Sequence, residues 1–184
     1  MHRALAVAAA LAGVLAPFAG AGLAAVSREG KVAPLELAEW IRDRKPGLRV
    51  IDLRPALEAD LVRIPRAERM AGDALDGPRF RPDETLVLVS GDGGGAAAGA
   101  WARLRAHGHR EVRVLEGGAD RWVDDVLSPT LAPDASPEAV AAFRRASELS
   151  RYFGGVPRVL APGEAAPRPA GGAARHAVVR GRGC

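Results

Sequence analysis

Three short apolar runs, set between helix-forming stretches, constrain this chain most. Leu48-Arg49-Val50-Ile51-Asp52-Leu53, Leu86-Val87-Leu88-Val89 and Val112-Arg113-Val114-Leu115 each read as a buried strand. Ala96 to Ala106 reads as a helix, with Gly108 placed to cap it. Strands alternating with helices imply an α/β fold, a parallel sheet with helices on both faces. The binding crevice of such a sheet lies outside the carboxyl ends of its strands. Asp52, Ser90 and Glu116 stand at those ends.

The remaining segments follow from turn and helix signals. Residues 26–33 read as a short linker. Pro34 to Arg42 has helical spacing, with proline tolerable in the first turn, and Pro46-Gly47 stops it. Ala56 to Leu61 suggests one or two helical turns, Ile64-Pro65 is extended, and 66–84 reads as loop around Gly77-Pro78 and Pro82-Asp83. The main domain spans 33–125, followed by a proline-rich linker at 126–135. Ser136-Pro137-Glu138 opens a C-terminal helix over 136–154 that packs through Val140, Phe143, Ala146, Leu149 and Phe153. Residues 155–184 lack periodicity and read as a flexible tail.

The ends of the chain speak to location. Met1-His2-Arg3 is basic, Ala4 to Ala16 is apolar but too short to span a bilayer, and small residues follow Pro17. Residues 1–25 therefore read as a secretory signal peptide, with cleavage expected between Gly22 and Ser27. The alternative is an uncleaved membrane anchor; no other membrane contact is expected. Lys31 and Lys45 are the only lysines beside many arginines, which with abundant Ala and Gly suggests a GC-rich bacterium and a periplasmic or secreted product. The net charge of +4 is scattered, so nucleic acid is not an expected partner. The one cysteine, Cys184, cannot form an internal disulfide.

The turn after the second strand is Ser90-Gly91-Asp92-Gly93-Gly94-Gly95, and the turn after the third is Glu116-Gly117-Gly118, with Trp122 close behind. Upstream, Val50-Ile51-Asp52-Leu53-Arg54 is followed by Glu58 and by Arg63-Ile64-Pro65-Arg66-Ala67. In order and spacing these segments resemble the rhodanese-like sulfurtransferase family over about residues 33–125. That resemblance implies a loop after the second strand whose first residue is a sulfur-carrying cysteine, followed by a glycine and an arginine. Here Ser90 stands at the cysteine position, Gly93 matches the glycine and Gly95 lies near the arginine position. Arg63 and Arg66 replace a family histidine and glycine.

A persulfide is an anion on a thiolate, cradled by loop amides and a helix N-terminus. A serine hydroxyl cannot hold it, the glycines supply no cation, and Asp92 adds a negative charge. The loop residues Ser90, Gly91, Asp92, Gly93, Gly94 and Gly95, with Asp52 and Arg54, are therefore candidates for binding, with no catalytic residue at the loop. Asp52 and Arg54 also suit a structural ion pair.

Other chemistries find less support. Gly91-x-Gly93-x-x-Ala96 before a helix, with Glu116 downstream, fits a dinucleotide fingerprint weakly. Ser90 as a nucleophile lacks a base, since His107 and His109 fall at the far end of the following helix. His107-x-His109 is half a metal site at most, and neither metal nor cofactor is expected. Trp40, Trp101 and Trp122 read as core or domain-edge aromatics. The expected function is an exported binding or accessory module in sulfur or envelope metabolism, its partner a protein or a small anion. The alternative is a sulfur carrier or transferase acting through Cys184, beside Arg180 and Arg182.

Overall fold

The computed structural model describes residues 26–75 and 80–165. The expected signal segment and Cys184 lie outside these residues. Strand β4 (Thr85–Val89) is buried at every position and forms the middle of a five-stranded sheet. Its neighbours are β5 (Val112–Leu115) and β2 (Leu48–Asp52), and the edges are β1 (Lys31–Val32) and β3 (Ala67–Arg69). The order is β1-β5-β4-β2-β3 and every pairing is parallel.

Side-chain alternation along the strands makes two cores. Val50, Val87, Val89 and Leu115 face α1 (Pro34–Arg42), α4 (Gly118–Trp122) and α5 (Pro137–Tyr152), where they meet Leu37, Ile41, Trp122 and Leu149. Ile51, Leu86, Leu88, Val112 and Val114 face α3 (Gly95–Ala106) through Ala97, Ala100 and Leu104. Period-two alternation thus separates the two faces of each strand. The result is the helix–sheet–helix sandwich that the apolar runs imply. Trp101 packs on the second core and donates its indole N–H to Val112 O at 3.0 Å. No helix among the described residues is long and apolar enough to cross a membrane.

Four segments differ from expectation. The 26–33 linker contains a 3-10 turn and the edge strand β1, which pairs with β5. The expected loop 66–84 contains β3 and a 3-10 turn at Gly72–Leu75. The expected linker 126–135 includes β6 (Thr130–Leu131), and the expected tail begins with β7 (Arg158–Val159), paired in parallel with it. Leu160 is buried and its amide donates to Leu131 O at 2.9 Å, so the described start of the tail is bound to the domain. The four strands among these elements are two or three residues long and carry no apolar run, so backbone pairing rather than side-chain pattern defines them.

Helix α5 starts at the Ser136 cap, whose Oγ accepts the Ala139 amide at 3.3 Å. It lies on α1, where Arg145 makes a two-point contact with Glu39 at 2.6 and 2.7 Å. Arg145 holds the Glu39 carboxyl below its ordinary value through this hydrogen bond, against a smaller opposing effect of burial.

Candidate functional site

The connection from β2 leads to β3 and that from β4 leads to β5, so the strand order switches between the adjacent strands β2 and β4. Ligand crevices of open α/β sheets form at such a switch, at the carboxyl ends. Asp52 closes β2 there, and Ser90 follows β4.

The loop 90–95 is held close to the turn after β5. Ala119 and Asp120, in the first turn of α4, donate their amides to Ser90 O and Gly91 O, both at 2.9 Å. Gly93 has φ +76°, and a Cβ on it would stand 2.6 Å from Leu115 O and 2.7 Å from Gly117 N. A Cβ on Gly118 (φ +59°) would fall on Ser90 O and Gly91 O. Both glycines are required by close approach of backbone to backbone. The spacing of Gly91 and Gly93 is thereby accounted for by packing, and the dinucleotide reading loses its main support.

Inside the loop, polar groups bond to one another. The buried Ser90 hydroxyl donates to Gly94 O at 3.2 Å, and Asp92 Oδ1 accepts the Gly94 amide at 2.9 Å. One amide that a loop of this shape could turn toward an anion is therefore taken by a carboxylate of the same loop. Ser90 donates to a carbonyl, which cannot act as a base, so its hydroxyl is not activated for attack.

Asp52 and Arg54 do not serve the loop. They are 3% and 6% exposed and form a two-point ion pair, with Nη2 to Oδ2 at 2.6 Å and Nε to Oδ1 at 2.9 Å. Arg54 also donates to Glu58 O at 3.2 Å and Val62 O at 2.7 Å, tying the end of β2 to α2 (Ala56–Leu61) and to its C-cap residue. The Asp52–Arg54 contact is the structural ion pair that the two residues also suit by sequence, and these hydrogen bonds of Arg54 all go to the chain's own acceptors.

Beside the loop opens a cleft of about 1060 Å³. Its lining includes the polar stretch of Asp92, Gly117, Asp120, Arg121, Asp124 and Asp125 and the apolar Leu35, Ala139, Ala142 and Phe143. Asp120, Arg121, Asp124 and Asp125 come from α4 and the π-helical turn Val123–Leu127 that continues it, an irregularity often found beside functional sites. Arg121 bonds Asp125 at 3.0 Å and lies 3.8 Å from Glu116. Burial pushes the Asp125 carboxyl up; Arg121 opposes this, and the charges of Asp124 and Glu116 add to it. Of the loop residues expected to bind, Asp92 alone is among those lining the cleft. The spacing of Asp120, Asp124 and Asp125, one helical turn apart, was the available sequence signal for the rest.

The histidines lie elsewhere. His107 is the exposed C-cap of α3, and His109 sets its ring edge-on to Phe80 at 6.0 Å with Nδ1 buried and unpartnered. Among the described residues no group of three or more His, Cys, Asp or Glu side chains could hold a metal ion.

Known proteins resemble this chain in sequence and in fold class. Thiosulfate sulfurtransferase of Gallus gallus is 43% identical over 73 residues, which are 39% of this chain and 25% of that protein. The chain thus spans about a quarter of the length of the curated relative it matches. Among solved structures, a rhodanese-like domain protein from Staphylococcus aureus is 24% identical, with a TM-score of 0.44, covering 52% of this chain and 92% of that one. A human single-domain sulfurtransferase is 22% identical with a TM-score of 0.44, covering 51% of this chain and 95% of the other. The family model described as "Rhodanese-like domain" matches residues 33–125, from the start of α1 through the first residues of the π turn. With that match extending over half of its length, the protein belongs to the rhodanese-like domain family.

Proposed function

We propose that this protein is an exported rhodanese-like binding module that does not transfer sulfur at its loop, and that it serves sulfur or envelope metabolism by holding a cationic segment of a protein partner. One observation carries the reading: the loop that would cradle a persulfide begins with Ser90 and has its Gly94 amide occupied by Asp92. A hydroxyl forms no persulfide, and the carboxylate repels the anion that the reaction creates. The relatives' sulfurtransferase chemistry therefore does not carry over to position 90. The basic start Met1-His2-Arg3 and the apolar run Ala4 to Ala16, within the expected signal segment 1–25, support export.

The lining of the cleft supports one of the two expected partner classes. Four aspartates and one arginine face it, so a small anion is disfavoured and a cationic chain with small apolar side chains is favoured.

The test is a titration of the full-length protein, at low ionic strength, with a fluorescent decapeptide of alternating arginine and valine and with its glutamate–valine counterpart. Saturable binding of the cationic peptide alone, weakened about tenfold by Asp124→Asn with Asp125→Asn, is the expected result. Equal binding of both peptides, or of neither, overturns the cleft reading. A parallel assay of sulfane-sulfur uptake checks the loop. Uptake retained in Cys184→Ser overturns the inactive-loop reading, and uptake abolished by Cys184→Ser moves the chemistry to that thiol.

A further inference from the structure

The two-stranded sheet β6–β7 borders the cleft by an edge rather than by a face. Its parallel ladder engages alternate residues of β6: Arg158 donates its amide to Pro129 O and Leu160 to Leu131 O, both at 2.9 Å. The amide and carbonyl of Thr130, between them, therefore point away from β7. Among the described residues no hydrogen bond reaches either group. Bonds of the flanking turns mark where this open edge ends. The Ser128 amide donates to Val123 O at 2.8 Å, and Ala132 O accepts the Ala135 amide at 3.2 Å.

That edge lies along the cleft. Ser128, Pro129, Thr130, Leu131 and Ala132 all line it, and Arg158 and Val159 of β7 are not among its lining residues. Side chains of an extended chain alternate between two faces, so successive lining residues mean that the main chain itself borders the space. Thr130 is half-buried, and an unpaired amide and carbonyl in such a place favour a partner. A donor and an acceptor at strand spacing match the main chain of an extended peptide, the usual occupant of an open sheet edge. A helical segment has no such groups to offer, because its amides and carbonyls bond within the helix.

We propose that the partner's cationic segment is held as an added strand, extended along β6, its main chain giving a carbonyl to the Thr130 amide and an amide to the Thr130 carbonyl. The inference rests on reading the cleft as a groove for such a segment, and it adds the conformation in which the segment is held. The pairing runs through main-chain groups, so it does not depend on which acidic side chains of the cleft are already engaged. An added strand also sends alternate side chains to opposite sides, which suits a segment with arginine at every second position and small apolar residues between.

The test uses the full-length protein and the arginine–valine decapeptide in two further forms, one N-methylated at every arginine amide and one at every valine amide. The methyl groups leave charge and side chains unchanged and remove alternate main-chain donors. One methylated form should bind about tenfold more weakly than the parent peptide and the other about equally, because only alternate amides of a strand face its neighbour. Amide hydrogen exchange gives the second readout. Saturation with the parent peptide should slow exchange of the Thr130 amide by about tenfold or more, and the Arg158 and Leu160 amides, already bonded in the ladder, should change less. Either equal affinity of the two methylated forms or an unprotected Thr130 amide overturns strand addition at β6 and leaves the cleft reading intact. Failure of the parent decapeptide to bind overturns the cleft reading, and strand addition with it.

Discussion

Asp92 Oδ1 accepts the backbone amide of Gly94 at 2.9 Å, two residues along the same loop. The contact joins an anion to a group that, in a loop of this shape, would otherwise be free to stabilise one. It makes the loop self-sufficient and leaves its outer edge negative.

Loop chemistry follows from that contact. The wild type should show negligible thiosulfate:cyanide sulfurtransferase activity, and Ser90→Cys alone should restore little. Adding Asp92→Arg frees the Gly94 amide and reverses a charge beside the developing anion. Such a reversal is worth upwards of about 1.4 kcal/mol, so the double variant should exceed Ser90→Cys by about tenfold or more. Steady-state sulfite or thiocyanate production measures this, and equal rates for the two variants would show that Asp92 is not the obstacle.

The loop's glycines should differ sharply in tolerance. Gly93→Ala forces a Cβ against Leu115 O in a left-handed backbone and should cost about 2–4 kcal/mol. A Cβ on Gly91 meets nothing within 4 Å, so Gly91→Ala should change stability by less than about 0.5 kcal/mol. Urea unfolding of the two variants gives the comparison, and similar losses would contradict the packing described for the loop.

Arg66 holds φ at +62°, in the left-handed region, at the position where the family resemblance implies glycine. Its side chain is exposed. Arg66→Gly should therefore stabilise the protein by about 1 kcal/mol, the cost of a left-handed backbone in a residue with a Cβ. Arg66→Ala keeps that cost and should be near neutral. A chemical-denaturation midpoint that falls in Arg66→Gly would mean that the arginine side chain has a role in stability.

The Glu39–Arg145 contact predicts a pH dependence. The folded-state pKa of Glu39 is lowered from 4.5, first by the Arg145 hydrogen bond. The contribution to stability is therefore present above 4.5 and lost as pH falls through the lower folded value. Glu39→Gln should melt below the wild type at about pH 7, and the gap should close by about pH 3. Calorimetric melting at both values tests it; a gap that persists in acid would assign the loss to packing of the side chain instead.

The central strands were legible because their residues carry the pattern of burial. Val50-Ile51, Leu86–Val89 and Val112–Leu115 must satisfy two apolar faces, and that requirement leaves a run of apolar side chains. Helix α5 was legible from the Ser136 cap and the apolar positions that follow it. The loop was legible as a loop, and the absence of a thiol at position 90 is a property of the residue alone.

Other features have no such signature. The outer strand β3 is Ala67-Glu68-Arg69, with two exposed positions, and exists because its backbone pairs with β2. Strands β6 and β7 join segments more than twenty residues apart in the chain, and no property of either two-residue piece announces the other. Asp52 and Arg54 suited either a ligand or each other until burial made them partners. The acidic cleft also arises from juxtaposition: Asp92 comes from one loop, Asp120, Asp124 and Asp125 from a helix and its π turn, and the apolar lining from α1 and α5. Residue chemistry and hydrophobic period are local properties, carried by each segment wherever it lies. Which charges share a cleft depends on long-range packing, and packing is set by all the segments at once.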